Sequence, residues 1–200
     1  VKGTDGTDTL VGVVQPLAAG WTNGGLAILG TGAGDTFNLA PEGEQWMSVR
    51  GGDGADSYVI NGTGLVRLDF RDATQGIDVN LATGAIADDG FGNAETITGT
   101  TPVFEIRGSG FDDTVTFSDA GDSYRYESGS NTLNGGAGND RVRYDVGQVQ
   151  RVEADLSAGQ VDVFTDSGTF TDTVSSIDNL RGSGGNDLMI ADDSGVGLDG

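Results

Sequence analysis

Apolar residues in this chain recur at a spacing of nine, not at the 3.6 of a helix. Val115, Tyr124, Leu133 and Val142 follow one another at nine-residue steps. Each stands two positions after an acid or amide: Asp113, Asp122, Asn131 and Asp140. The segments between are rich in Gly, Ser and Asp, which reads as turns. Elsewhere apolar positions alternate, as in Val66, Leu68 and Phe70, then Ile77, Val79 and Leu81. Period two marks strands with one buried face. Val149, Val152 and Leu156 also fit a helical spacing. That stretch is read as a strand because its sequence parallels the alternating segment near residue 77. No run of 18 apolar residues occurs, so no helix is expected to span a membrane. The pattern predicts an all-β chain.

A turn followed by a three-residue strand occurs at 3–10, 30–37, 51–58, 108–115, 135–142 and 182–189. The shared template is G-G-x-G-x-D-x-U-x, with U apolar. Residues 51–59 and 135–143 match every fixed position, with Gly51, Gly52, Gly54 and Asp56 in the first and Gly135, Gly136, Gly138 and Asp140 in the second. The unit at Gly182 and Gly184, ending in Asp187, and the unit ending in Asp8 each miss one Gly. Asp35 is read in a turn one residue short, and Phe111 stands where a Gly is expected before Asp113. Two further units end at Asp122 and Asn131, so 108–143 reads as four consecutive nonapeptides.

A second repeat interrupts the first. Ile77-Asp78-Val79-Asn80-Leu81 resembles Val152-Glu153-Ala154-Asp155-Leu156, and Ile106-Arg107-Gly108-Ser109-Gly110 resembles Leu180-Arg181-Gly182-Ser183-Gly184. Residues 65–107 and 144–181 are therefore expected to form longer intercalated coils. The polar stretches 87–102 and 164–176 within them read as surface loops. No linker divides the chain, so 1–200 is expected to be one elongated domain.

The repeat has a geometric reading. Six residues turn the chain and three make a strand, so two nonapeptides close a coil. Stacked coils lie ~4.8 Å apart. Residues 18 apart in sequence then sit one above another, with Asp113 and Asn131 on one side and Asp122 and Asp140 on the other. A Ca²⁺–oxygen bond is ~2.4 Å, so one ion fits between acids of successive coils. Without it, carboxylates ~5 Å apart repel by ~1 kcal/mol even at water's dielectric.

Composition sharpens this picture. The chain has no Cys, no His and one Lys (Lys2), with a net charge of −21. Nucleic acid and anionic membrane are thereby disfavoured as partners. Cys- and His-based metal sites and nucleophile–His pairs are excluded. Only oxygen ligands remain, and these select hard cations, Ca²⁺ before Mg²⁺. Leu, Ile, Val and Phe make up only 47 of 200 residues, a lean core for so charged a chain.

The nonapeptides resemble the calcium-binding repeats of the RTX family. The resemblance implies a right-handed parallel β-roll or β-helix solenoid with longer intercalated coils. It implies several Ca²⁺ ions, held by Asp8, Asp35, Asp56, Asp113, Asp122, Asp140 and Asp187 with carbonyls of the Gly-rich turns; Asn131 occupies the same slot. It further implies type I secretion, an extracellular or cell-surface setting, and folding on meeting calcium. The expected role is a non-catalytic, monomeric folding and spacer module, read as a piece of a longer protein. One alternative is a polysaccharide-binding, adhesin or surface-layer module using the loops, Trp21 or Trp46. A β-helix enzyme acting on polysaccharide is less favoured, because the regular acid clusters are already assigned to calcium. Asp88 and Asp89 are expected to be a solvated charge pair.

Overall fold

The computed structural model describes residues 9–12, 26–192 and 195–200. Among the described residues every helix or strand element is a strand, and these form a twelve-stranded and an eight-stranded sheet. Early in the chain, strands alternate between the two. Leu26–Leu29, Trp46–Arg50 and Leu65–Asp69 belong to the smaller sheet, and Thr36–Leu39 and Ser57–Ile60 to the larger. Each pairs in parallel with the next strand on its own side. The result is a stack of two-strand coils, compatible with a β-solenoid or roll.

The nine-residue step is seen directly. Val115 in Thr114–Thr116 lies opposite Leu133 in Thr132–Asn134. Tyr124 in Ser123–Arg125 lies opposite Val142 in Arg141–Arg143. In these four strands the middle side chain is buried and packs between the sheets. Residues just past a strand, Phe117, Tyr126 and Tyr144, add to the interior. Large rings fill much of it: Tyr58, Tyr124, Tyr126 and Tyr144 are fully buried.

The longer coils correct two expectations. Asp78–Asn80, Ala85–Asp88 and Glu95–Gly99 form an antiparallel meander, as do Val149–Asp155, Gln160–Thr165 and Gly168–Ser175. The larger sheet is therefore mixed and not wholly parallel. The outer strands of each meander rejoin the parallel stack: Glu95–Gly99 pairs with Ser57–Ile60, and Gly168–Ser175 with Thr132–Asn134. Stretches 87–102 and 164–176 thus supply sheet strands and not only surface loops. Their Thr- and Gly-rich exposed faces concealed an inward set that includes Ile97 and Val174. The strand reading of 149–156 holds, for Val149–Asp155 is a strand. A register shift between Val149 and Arg151 turns both Val149 and Val152 inward, which produced the helix-like spacing.

The smaller sheet also aligns charge. Arg107, Arg125, Arg143 and Arg181 occupy one row on successive coils. Acids interleave with them, as in Arg107–Glu127 at 2.7 Å, Arg143–Asp145 at 2.7 Å and Arg143–Glu105 at 2.9 Å.

Ile106 is fully buried between Leu68 and Tyr124 of the adjacent coils, whereas Phe111 is 46% exposed on a turn. Ile106→Ala should lower the unfolding free energy by about 2–5 kcal/mol. Phe111→Ala should change it by less than about 0.5 kcal/mol. Denaturant unfolding in one buffer checks both, and equal effects would contradict the inward placement.

Candidate metal centre

Four of the repeat turns close on their own acid. The main-chain N–H four residues earlier donates to the carboxylate: Thr31 to Asp35 at 2.8 Å, Ser109 to Asp113 at 2.8 Å, Ser118 to Asp122 at 2.5 Å and Ser183 to Asp187 at 2.9 Å. The Ser or Thr hydroxyl of the same residue donates as well. Carboxylates also reach the neighbouring coil. Asp35 N donates to Asp56 Oδ1 at 2.7 Å, Asp113 N to Asn131 Oδ1 at 2.9 Å, Asp122 N to Asp140 Oδ1 at 2.8 Å and Val152 N to Asp187 Oδ1 at 2.8 Å. A short acceptor-rich side chain meets both demands, which is why the slot holds Asp or Asn.

The parallel registers stack these slots into three ladders. One runs Asp35, Asp56, Glu95; a second Asp113, Asn131, Asp172; a third Asp122, Asp140, Asp178. The pairing of Asp113 with Asn131, and of Asp122 with Asp140, follows the 18-residue spacing. Asp35 is not in a shortened turn: 30–35 has as many residues as 51–56, and Thr36 pairs with Ser57. Asp8 lies outside the described residues. Glu95, Asp172 and Asp178 were not expected. Each precedes an apolar residue by two, at Ile97, Val174 and Leu180; Glu95 follows a turn with Gly90 and Gly92 that does not fit the nonapeptide template, and no Gly-rich turn precedes Asp172 or Asp178.

The ladders differ in hydrogen bonding. Asp113 accepts from Ile77 N, Ser109 N, Ser109 Oγ and the Tyr124 hydroxyl. Asp172 accepts from Asn131 N, Asn131 Nδ2 and the Tyr144 hydroxyl. That ladder is closed in itself. The two full-template turns instead carry Gly52 and Gly136 where the others have Ser or Thr, so no hydroxyl is on hand. There Asp56 Oδ2 and Asp140 Oδ2 are buried with no hydrogen-bond partner, and so is Asp122 Oδ1. A buried acceptor left unpaired costs roughly 1–3 kcal/mol, and more when charged. Burial pushes the Asp56 and Asp140 carboxyls up to about 6. The nearby acids Asp122, Asp178 and Asp119 push in the same direction at Asp140.

Most turn glycines are required by backbone conformation or by close approach, on open and closed turns alike. Gly52, Gly54, Gly136 and Gly138 all have positive φ, between 79° and 119°, a region costly to residues with a Cβ. A Cβ on Gly51 would lie 2.0 Å from Asp56 Oδ2, and one on Gly182 2.2 Å from Asp187 Oδ2. Gly135 packs instead against the Ser176 carbonyl, and Gly184 faces open space.

Among the described residues no group of three acidic side chains is placed to hold a metal ion. A cation here would take one or two carboxylates and complete its shell with main-chain carbonyls and water, within the six to eight oxygens Ca²⁺ accepts. Two side expectations are corrected or refined. Asp89 is not solvated but buried, accepting from Phe91 N and Asn93 N, while Asp88 accepts from Gly90 N and Gly92 N. Trp46 is half-buried with the Arg67 guanidinium 4.8 Å above its ring, and Trp21 lies outside the described residues. No family model matches the chain, and no curated protein matches it.

Burial raises Asp172 to about 7 and Asp140 to about 6, against roughly 3.9 in an unfolded chain. Between these values the folded form binds protons that the unfolded form does not, so stability falls as pH rises. In metal-free buffer the unfolding midpoint should therefore be higher at pH 5 than at pH 8. A higher midpoint at pH 8 would contradict the burial of these acids.

Proposed function

We propose that this chain is a calcium-responsive folding module, a right-handed β-roll of the RTX kind. The observation that carries the reading is the set of buried, unpartnered carboxylate oxygens on Asp56, Asp122 and Asp140. Two of the three lie at the only turns in the described chain that match the nonapeptide template throughout. A proton, a water or a cation relieves such oxygens, and a chain of net charge −21 favours the cation. With oxygen donors alone, the favoured ion is Ca²⁺, which tolerates irregular geometry; Mg²⁺ demands a near-ideal octahedron.

Asp122 and Asp140 would hold an ion on one side of the stack, and Asp56 on the other. Asp35, Asp113 and Asp187 close their turns through Ser or Thr and serve the fold without metal. The bound ion supplies positive charge between stacked coils, so its binding free energy becomes folding free energy. The setting that suits such a device is outside the cell, where calcium is millimolar. There the module would fold after export as a non-catalytic spacer of a secreted or surface protein. A second reading, an adhesive surface for acidic polysaccharide, is favoured by the aligned row Arg107, Arg125, Arg143 and Arg181. Polysaccharide binding measured at constant calcium separates it from a bare spacer.

In chelator, circular dichroism should show a marked loss of β-structure. Millimolar Ca²⁺ should restore it, and Mg²⁺ should do so poorly. An unchanged spectrum and midpoint in chelator would refute the proposal. Asp140→Asn should shrink the calcium-induced rise in melting temperature. Asp113→Asn should lower the midpoint with and without calcium and leave that rise largely intact. The reverse pattern would show that the ion sits on the other ladder.

A further inference from the structure

We infer that Asp56 and Glu95 hold one divalent cation between them, so that the antiparallel meander of residues 78–99, which contains no nonapeptide, carries a calcium site of its own. The inference rests on the calcium reading above and extends it to a residue that the repeat does not mark.

Pairing of Ser57 with Thr96 sets Glu95 beside Asp56 on the next coil. Both acids are buried, at 3% and 4% exposure. Asp56 Oδ1 is occupied by Asp35 N at 2.7 Å, but Asp56 Oδ2 has no hydrogen-bond partner. The Tyr58 hydroxyl reaches the Glu95 oxygens only at 3.4 and 3.5 Å, the long limit of a hydrogen bond. A Cβ at position 51 would stand 2.0 Å from Asp56 Oδ2 and 2.3 Å from the Tyr58 hydroxyl. These oxygens therefore converge on a point that only glycine leaves open. A cavity of about 40 Å³ opens beside them, with Gly51, Gly52, Tyr58 and Glu95, but not Asp56, in its wall. That is room for one small ion or one water.

The surrounding charge is one-sided. Asp35 and Asp89 add further negative potential at Asp56. Arg50 also borders the cavity, but its guanidinium is engaged by Asp69 at 3.3 Å and Asp72 at 2.5 Å. Asp89 spends its oxygens on Phe91 and Asn93. Two buried carboxylates are thus left facing each other without a cationic side chain of their own. Asp56 and Glu95 are close enough to share a hydrogen bond, and burial with the Asp56 charge raises the Glu95 carboxyl, so without an ion the pair holds a proton. Two carboxylates and a phenol oxygen make a hard donor set, which suits Ca²⁺.

The test counts bound Ca²⁺ by equilibrium dialysis of the full chain and follows its melting temperature with calcium and with chelator. Glu95→Gln should bind one ion fewer than the unaltered chain. In chelator at neutral pH it should melt higher, because folding no longer has to protonate a carboxylate at this position. Asp172→Asn, on the closed ladder, should leave the ion count unchanged. If the unaltered chain binds calcium and Glu95→Gln keeps the same number of ions at the same affinity, the Asp56–Glu95 site is overturned while the wider calcium reading stands. If the unaltered chain binds none, both fall. Should Glu95→Gln fail to fold, Glu95→Asp decides. It keeps the charge but shortens the reach by one methylene, so one ion should weaken several-fold, and unchanged binding overturns the site.

Discussion

The structure depends on one contact, the carboxylate that turns inward and accepts a main-chain N–H from the adjacent coil. A tight turn exposes amide donors that no strand can satisfy, and stacking such turns would bury them. One Asp can answer for its own coil and the next: Asp113 takes Ser109 N and Ile77 N, and Asp187 takes Ser183 N and Val152 N. Each coil is thus locked to its neighbour at the turn as well as along the strand. The accompanying cost is a column of like charges at the coil spacing.

The chain meets that cost in two ways. On the Asp113 ladder an amide, Asn131, replaces one charge, and Tyr124 and Tyr144 reach across the interior to donate to Asp113 and Asp172. On the ladders through Asp56 and Asp140 no Tyr hydroxyl donates to those two acids, and Gly52 and Gly136 stand where other turns have Ser or Thr, so no turn hydroxyl does either. Asp122 keeps the Ser118 donors yet leaves Oδ1 unpartnered beside Asp140, so stacking as well as the second turn residue decides which carboxylates stay open. This also explains why so lean a core suffices: hydrogen-bonded Tyr side chains fill much of the interior, and the turns contribute order that a larger apolar core would otherwise supply.

Much of this was legible in the sequence. The nine-residue phase placed Val115, Tyr124, Leu133 and Val142 inside and put Asp122 beside Asp140. The meanders were legible only in part. Ile77, Val79 and Leu81 announced a strand, but Thr and Gly on the outer faces of 95–99 and 168–175 looked like loop. Glu95, Asp172 and Asp178 escaped because a longer coil carries them: the ladder position is kept in space while the sequence interval stretches from 18 to about 40, and the turns before them do not carry the template's glycine spacing. The split between closed and open carboxylates was hidden for another reason. It depends on which hydroxyls reach across the interior, and Tyr124 and Asp113 are brought together only by the stacking.

The central claim is that specific buried carboxylates, and not the acidic surface as a whole, require the cation. Anomalous diffraction from crystals grown with Tb³⁺ in place of Ca²⁺ tests this most directly. The account predicts ordered ions beside Asp56 and beside Asp122 and Asp140, with none on the Asp113–Asn131–Asp172 ladder. Ions on that ladder, with none beside Asp56, Asp122 or Asp140, would contradict it.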